Sequence, residues 1–145
     1  MRKKDILTII FIIGILLVSS NTIFAKEITL YDSDGEADAY IDTDDEMTIY
    51  LWKGKPVAYL DSDSIYGFNG KHLGWFEDGI IWDHKGYAVG FIKGAVNKFT
   101  KFEKFKGFKK FKPFKSFQQL EPIKPIYKSQ WSNIPLELFL EIGSK

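Results

Sequence analysis

The residues with the clearest chemical potential are two histidines, His72 and His84, because the chain contains no cysteine. A Ser-His-Asp set can be drawn on paper from Ser62, His84 and Asp83, but no nucleophile elbow or oxyanion loop accompanies it. Two histidines without supporting ligands also make a poor transition-metal site. We therefore predict no catalytic residue, no metal site, no cofactor and no enzymatic activity, and we expect both histidines to be exposed at hairpin tips.

Short acidic clusters at 32–34, 42–46 and 61–63 offer the oxygen ligands that calcium prefers. None has the twelve-residue spacing and terminal Glu of an EF-hand loop. Asp side chains in tight turns accept hydrogen bonds from nearby backbone N–H groups, and we assign the clusters to that role. Weak extracellular calcium binding is the alternative. Paired carboxylates for glycoside hydrolysis would need a cleft, and the sequence has no sign of one.

Eight aromatic side chains at matching positions of an internal repeat are the best candidates for binding. In grooves between neighbouring repeats they could stack on a sugar ring or on a small cation such as choline. The candidate ligand-binding residues are Tyr50, Tyr66, Trp75 and Trp82. The alternative is that all eight aromatic residues simply form the core.

The repeat occurs four times between residues 28 and 93, and each copy is centred on a glycine: Gly35, Gly54, Gly70 and Gly86. Counted from the glycine, position −5 is aliphatic, −4 is Tyr or Trp, +4 is Ala or Gly, +5 is aromatic and +6 is Leu, Ile or Phe. Each copy therefore predicts a β-hairpin with a two-residue type I′ turn. In that register −5 pairs with +4, and −4 pairs with +3.

Both faces of each predicted hairpin are apolar, whereas a hairpin with one wet face alternates polar and apolar residues. A lone hairpin is only marginally stable in water, so the four must pack together. The small residue at +4 predicts a close approach of neighbouring chains, and closing the set into a ring would remove exposed edges. We predict a mainly β fold with four hairpins in a pseudo-four-fold arrangement, an extended C-terminal tail and a short terminal helix.

Four gap-free copies of the pattern [YW]-x-x-x-G-x-x-φ-[AG]-[YWF]-φ, followed by a tail rich in Lys and Pro that ends in Trp131-Ser132, resemble the four-fold β-flower proteins. The resemblance covers residues 28–93 well and the tail loosely. The first copy departs from it, with Asp38 at the usually apolar +3 position. The resemblance implies the fold and an export context. It implies no activity, so no functional residues are carried over from it.

The N-terminus has the three-part layout of a secretory signal. A basic start at 2–4 precedes an apolar run over 6–18 and a polar exit that ends at Ala25. The apolar run is shorter than the roughly 20 residues that span a bilayer. We predict a cleaved signal peptide at 1–25 and export to the periplasm or the medium, with an uncleaved membrane anchor as the alternative.

The tail has a period of three, because large apolar residues recur at every third position from Phe99 to Ile126. Polyproline II places every third side chain on one face. Residues 26–95 carry a net charge of −8 and residues 96–128 carry +8, which predicts that the two parts dock. We expect the Phe row to pack on the hairpins and the lysines to point to acidic loops or water. Attachment to an anionic membrane surface and docking to a partner are the alternatives, and no nucleic acid is expected.

The predicted organisation is thus a signal peptide (1–25), a four-hairpin β domain (28–95), a basic tail with a Phe-x-x repeat (96–130) and a short helix (131–143) with Ser132 as its N-cap. The function predicted first is a non-enzymatic exported structural or interaction module of the cell envelope. The alternative is a module that binds a glycan or a small cation through the aromatic residues between hairpins.

Overall fold

The eight strands of the protein form one closed antiparallel barrel. The computed structural model describes residues 26–145. Each strand pairs with the next in the chain, and β1 pairs with β8 through Tyr31 and Phe91 to close the ring. The strands are β1 (Glu27–Tyr31), β2 (Ala37–Asp42), β3 (Thr48–Leu51), β4 (Pro56–Asp61), β5 (Ser64–Gly67), β6 (His72–Glu77), β7 (Ile80–Trp82) and β8 (Ala88–Phe91).

Each repeat forms one hairpin, as predicted, but the two-residue turn is wrong. In the second hairpin the Gly54 N–H donates to the Leu51 carbonyl, and the Leu51 N–H donates to the Lys55 carbonyl. A type I′ turn needs positive φ at both central residues, which is unfavourable for a side chain such as Lys53. Only the glycine has it, with φ of +95°, so the loop has three residues and ends in a left-handed glycine. The other three hairpins have the same pair of hydrogen bonds.

This turn shifts the register next to it. Ile49 pairs with Ala58, as predicted, but Tyr50 pairs with Pro56, and Val57 is left as a β-bulge between them. The predicted pairing of −4 with +3 is therefore wrong in every hairpin, since each has the same shift. Because a bulge rotates the extra residue, Val57 joins the interior core and not the outer aromatic face.

The interior is filled by the aliphatic residues at −5, +3 and +6 together with one face of the C-terminal helix α1 (Leu136–Glu141). The helix begins after Pro135 and not at Ser132, and a 3₁₀ turn (Ile142–Ser144) follows it. Leu136, Phe139 and Leu140 are buried in the core. The helix closes the barrel at its hairpin tips, where Asn69 Nδ2 donates to the Ile142 carbonyl.

The small residues at +4 make room for the neighbouring strand and for this helix. A Cβ atom added at Gly74 would clash with the Trp82 carbonyl oxygen of β7 and lie 3.1 Å from Phe139 Cζ. A Cβ atom added at Gly90 would lie 3.0 Å from both the Tyr31 carbonyl oxygen of β1 and Leu136 Cδ1. The predicted close approach of neighbouring chains is therefore confirmed at these two positions, and the helix packs against the same two glycines.

Candidate functional site

The tail passes the four hairpin tips in chain order. Backbone N–H groups of the tail donate to the carbonyl oxygens of the four tip glycines. The pairs are Lys101 with Gly35, Lys110 with Gly54, Gln119 with Gly70, and Lys128 with Gly86. The donors are nine residues apart, which is three turns of polyproline II and a reach of about 28 Å. Residues 98–128 contain no helix or strand, so these contacts hold an extended segment against the barrel.

The residue after each large apolar residue of the tail points to the barrel. Lys109 Nζ lies 2.5 Å from Asp42 Oδ2, and Lys112 Nζ lies 2.6 Å from Asp45 Oδ1. Lys106 pairs with Glu27, and Lys115 and Lys124 pair with other acidic residues of the barrel. Acidic and basic halves of the chain thus neutralise each other. Burial opposes the charge on Lys109, but hydrogen bonds to Asp42 and Glu27 outweigh it and raise the pKa of the ammonium group.

The Phe row points the other way. Ten large apolar side chains, which we name the apolar belt, are 85–103% exposed: Phe99, Phe102, Phe105, Phe108, Phe111, Phe114, Phe117, Leu120, Ile123 and Ile126. The prediction that this row packs on the hairpins is wrong. With three residues per turn, the side chains of the tail form three rows. The row that faces the acidic residues of the barrel is the one that carries the lysines of opposite charge.

The outer face of the barrel is occupied by aromatic pairs from neighbouring hairpins, and the tail covers them. Tyr40 stacks on Tyr50 at 5.5 Å between ring centroids, and Tyr59 stacks on Tyr66 at 6.2 Å. Lys106 Nζ lies 4.5 Å from the Tyr40 ring centroid, a cation–π distance. Seven of the eight repeat aromatic residues are buried, and Trp82 is half-buried.

The four candidate ligand residues therefore contact the tail. The Tyr66 hydroxyl donates to the Gln119 carbonyl at 3.0 Å, and Trp75 Nε1 donates to Glu121 Oε1 at 2.7 Å. Trp82 stacks on Tyr127 at 4.3 Å, and Lys109 Nζ lies 5.5 Å from the Tyr50 ring centroid. A glycan or cation would reach these rings only where the tail moves away, and their ligand role stays a prediction.

The two histidines lie together between the third and fourth hairpins. His72 Nδ1 lies 2.9 Å from His84 Nε2, and His72 Nε2 lies 3.1 Å from Ser64 Oγ. The expectation of two exposed tip histidines is wrong for His72, which is 3% exposed. Burial and, second, the neighbouring His84 lower the pKa of His72 to about 4. The three-residue turn is the cause of this burial. It shifts the register so that His72, at position +2 of the third hairpin, lies in β6 and pairs with Tyr66 of β5.

The acidic clusters serve mainly as turn caps and tail anchors. Asp32 Oδ1 accepts hydrogen bonds from the N–H groups of Asp34 and Glu36, as predicted for Asp in a turn. Carboxylate oxygens of Asp32, Glu36 and Asp38 lie within 4.8 Å of one another. Burial and, second, the charge of Asp32 raise the pKa of Asp38 to about 7. Asp38 is the residue that departs from the repeat, and its carboxyl group lies at an apolar position.

The ion pairs confirm the prediction that the tail docks on the acidic body with lysines towards its acidic residues. The outward direction of the Phe row is the functional feature that the sequence prediction missed. The residue after each Phe is Lys in four successive triplets, 105–116, so a second period of three was visible beside the Phe row. The sequence did not show that this second row alone faces the barrel, because that depends on where the acidic residues lie around the closed barrel.

Comparison with known proteins identifies one family. A family model described as 4-fold beta flower protein matches residues 28–140, which includes the barrel, the tail and most of helix α1. No curated protein and no solved structure matches the chain.

Proposed function

Because the chain belongs to the 4-fold beta flower family, whose model names a fold and no activity, we propose a function from its surface: a non-enzymatic, exported interaction module of the cell envelope that binds a lipid surface. The apolar belt is the observation that carries this proposal. Soluble proteins rarely expose contiguous apolar patches of this size, and such patches mark interaction sites.

The backbone that carries the apolar belt is held against the barrel by hydrogen bonds and ion pairs. Each stretch of it lies beside a backbone hydrogen bond to a tip glycine, such as that from Lys110 to Gly54 at 2.9 Å. Ion pairs such as Lys109 with Asp42 hold the row beneath. A partner surface would therefore meet apolar side chains that are already ordered, which lowers the entropy cost of binding.

The exposed apolar residues lie along the tail, whose backbone contacts the hairpin tips, and on helix α1. Beyond the belt, the other large exposed apolar residues of the described chain are Ile134, Leu138 and Ile142. They lie on and beside helix α1, which closes the end that carries the hairpin tips. We therefore propose that the barrel meets lipid end-on, with its tips and helix towards the bilayer interface.

Charge supports a lipid surface in general and not an anionic one in particular. Residues 26–145 carry 17 Lys and 18 Asp or Glu, a net charge of −1. Five of the ten tail lysines lie in the inward row, and each pairs with an acidic residue of the barrel. We expect apolar insertion to dominate, because binding of this kind scales with buried apolar area.

The proposal also includes the symmetry of the barrel. We propose that the four hairpins are related by a pseudo-four-fold axis. The nine-residue interval between successive tail contacts supports this arrangement, as does the repeated bulge after each turn. Four equivalent hairpins would present four similar sectors of the belt to one flat surface.

Export is the other part of the proposal, and it rests on residues 1–25, which lie outside the described part of the chain. Within the described residues no helix has the length and apolarity needed to cross a bilayer. We propose that residues 1–25 direct export and are removed after Ala25.

Vesicle flotation tests the lipid proposal. The exported chain, with its N-terminus read by mass spectrometry, is mixed with phosphatidylcholine vesicles and with vesicles that also contain phosphatidylglycerol. The double variant Phe105→Ser/Phe111→Ser should bind at least about ten-fold more weakly, since burial of a Phe side chain contributes about 1.5–3 kcal/mol when complete. The neighbouring double variant Lys104→Ser/Lys110→Ser is the matched control and should lose less than about three-fold on phosphatidylcholine.

The opposite pattern, in which the lysine variant loses binding and the Phe variant keeps it, would contradict apolar insertion. It would indicate that attraction of the lysines to anionic lipid drives binding. Failure of the wild type to float with either vesicle would end the lipid proposal. Leu138→Ser tests the end-on orientation separately. Unchanged binding by Leu138→Ser would mean that the belt meets lipid from the side of the barrel.

A further inference from the structure

A cleft of about 450 Å³ opens beside the histidine pair. Its walls come from the third and fourth hairpins, from Gln119 of the tail and from the segment that carries helix α1. This volume lies within the range of small-molecule sites. The cleft is separate from the apolar belt, since no belt residue lines it.

One end of the cleft is apolar. Leu73 and Phe139 are buried at its base, and Ile134 and Ile142 are partly exposed along its edge. Such a wall favours an alkyl or aryl group, which leaves water when it packs there.

The other end is polar and basic. Lys71 and Lys85 line it, both side chains are exposed, and within residues 26–145 neither makes an ion pair. His84 lines the cleft as well, and its Nε2 atom lies 2.9 Å from Nδ1 of the buried His72. The one carboxylate in the lining is that of Asp83, whose Oδ1 atom accepts hydrogen bonds from the N–H groups of Lys85 and Tyr87, both at 2.9 Å.

We propose that this cleft binds a small amphiphilic carboxylate, with its carboxylate at Lys71, Lys85 and His84 and its apolar body on Leu73 and Phe139. Two ammonium groups beside an apolar wall complement such a molecule in charge and in polarity. The histidine pair gives the polar end a fixed shape, because His72 is hydrogen-bonded on both ring nitrogens. This inference does not depend on binding of the belt to lipid.

Isothermal titration of the exported chain with decanoate, below its micelle concentration, tests the proposal. Decyltrimethylammonium and decanol are probes of equal chain length with a positive or no charge. Decanoate should bind at least ten-fold more tightly than either. The double variant Lys71→Gln/Lys85→Gln should lose at least ten-fold in decanoate affinity, whereas Lys104→Gln/Lys110→Gln, two exposed lysines beside the belt, should stay within two-fold of wild type.

A second readout locates the bound molecule. The ring Hε1 resonance of His84 should shift in a saturable manner with decanoate and stay unchanged with decanol at equal concentration. Equal losses in the two lysine variants, equal affinity for the three probes, or titration without a His84 shift would each overturn the proposal. Flotation of Lys71→Gln/Lys85→Gln with phosphatidylcholine vesicles should stay within about three-fold of wild type, as for the lysine control above, so failure of the cleft and failure of the belt give different results.

Discussion

Gly54→Ala should loosen the tail from the second hairpin, and Gly94→Ala provides a matched control. Both glycines have left-handed backbones, with φ of +95° and +90°. A Cβ at Gly54 would lie 2.6 Å from the Phe108 carbonyl carbon, with the carbonyl oxygen closer still, whereas a Cβ at Gly94 meets nothing within 4 Å. The two variants share the cost of a left-handed alanine and differ in the clash with the tail.

The shared cost is about 1–2 kcal/mol of unfolding free energy. To relieve the clash at Gly54 the tail must move, and two backbone hydrogen bonds lie beside it. They run from Lys110 N–H to the Gly54 carbonyl at 2.9 Å and from Gly107 N–H to the Trp52 carbonyl at 2.8 Å. At about 0.5–1.5 kcal/mol each, their loss adds about 1–3 kcal/mol. We therefore expect Gly54→Ala to cost about 2–5 kcal/mol in all.

Denaturant unfolding measures the two free energies, and amide hydrogen exchange at Lys110 shows where the change lies. We expect Gly54→Ala to destabilise more than Gly94→Ala and to lose protection at the Lys110 amide. Equal destabilisation of the two variants, with Lys110 protection unchanged in both, would refute the claim that the tail packs against the hairpin tip.

Two further predictions concern buried charge. Lys109→Gln leaves the buried Asp42 carboxylate without its cation. We therefore expect the free energy of unfolding, measured by denaturant titration, to fall by about 1–3 kcal/mol. A loss no larger than that of Lys104→Gln, an exposed control, would contradict this prediction. The second prediction concerns His72, whose pKa is lowered to about 4 from about 6.5. Between these two pH values the unfolded chain binds a proton at His72 and the folded chain does not. The free energy of unfolding should therefore fall by about 3 kcal/mol as the pH falls from 7 to 4. The raised pKa of Asp38 acts in the opposite direction over this range, so the measurement is the difference between wild type and His72→Gln; parallel pH profiles would disprove the role of His72.

The strands and the tip glycines were predictable because both depend on local properties. Alternation of side chains along residues 49–51 and 58–60 places aliphatic and aromatic residues on opposite faces whatever the partner strand is. The register near the turn was not predicted. Asn69-Gly70 suits a type I′ turn but forms the same three-residue loop as Lys53-Gly54, so the turn dipeptide does not determine the loop length. In the second hairpin Val57 becomes a bulge as a result.

The sites were less predictable, because each depends on contacts between segments far apart in the chain. His72 and His84 lie at different repeat positions, and only the pairing of β6 with its neighbours brings them together. The apolar belt has the same origin. A period of three showed that the Phe residues share one face, but the charges that bind the lysines lie at strand ends as far apart in the chain as Glu27 and Glu77.

The sequence by itself determined the four hairpins, the mainly β class, the small residues at +4 and the period of three in the tail. These follow from backbone preference and side-chain period, which act within a few residues. Only the tertiary structure decided that the barrel closes through Tyr31 and Phe91 and that the Phe row faces outward. An extended chain has no inside of its own, so the surface on which it lies sets the direction of each row.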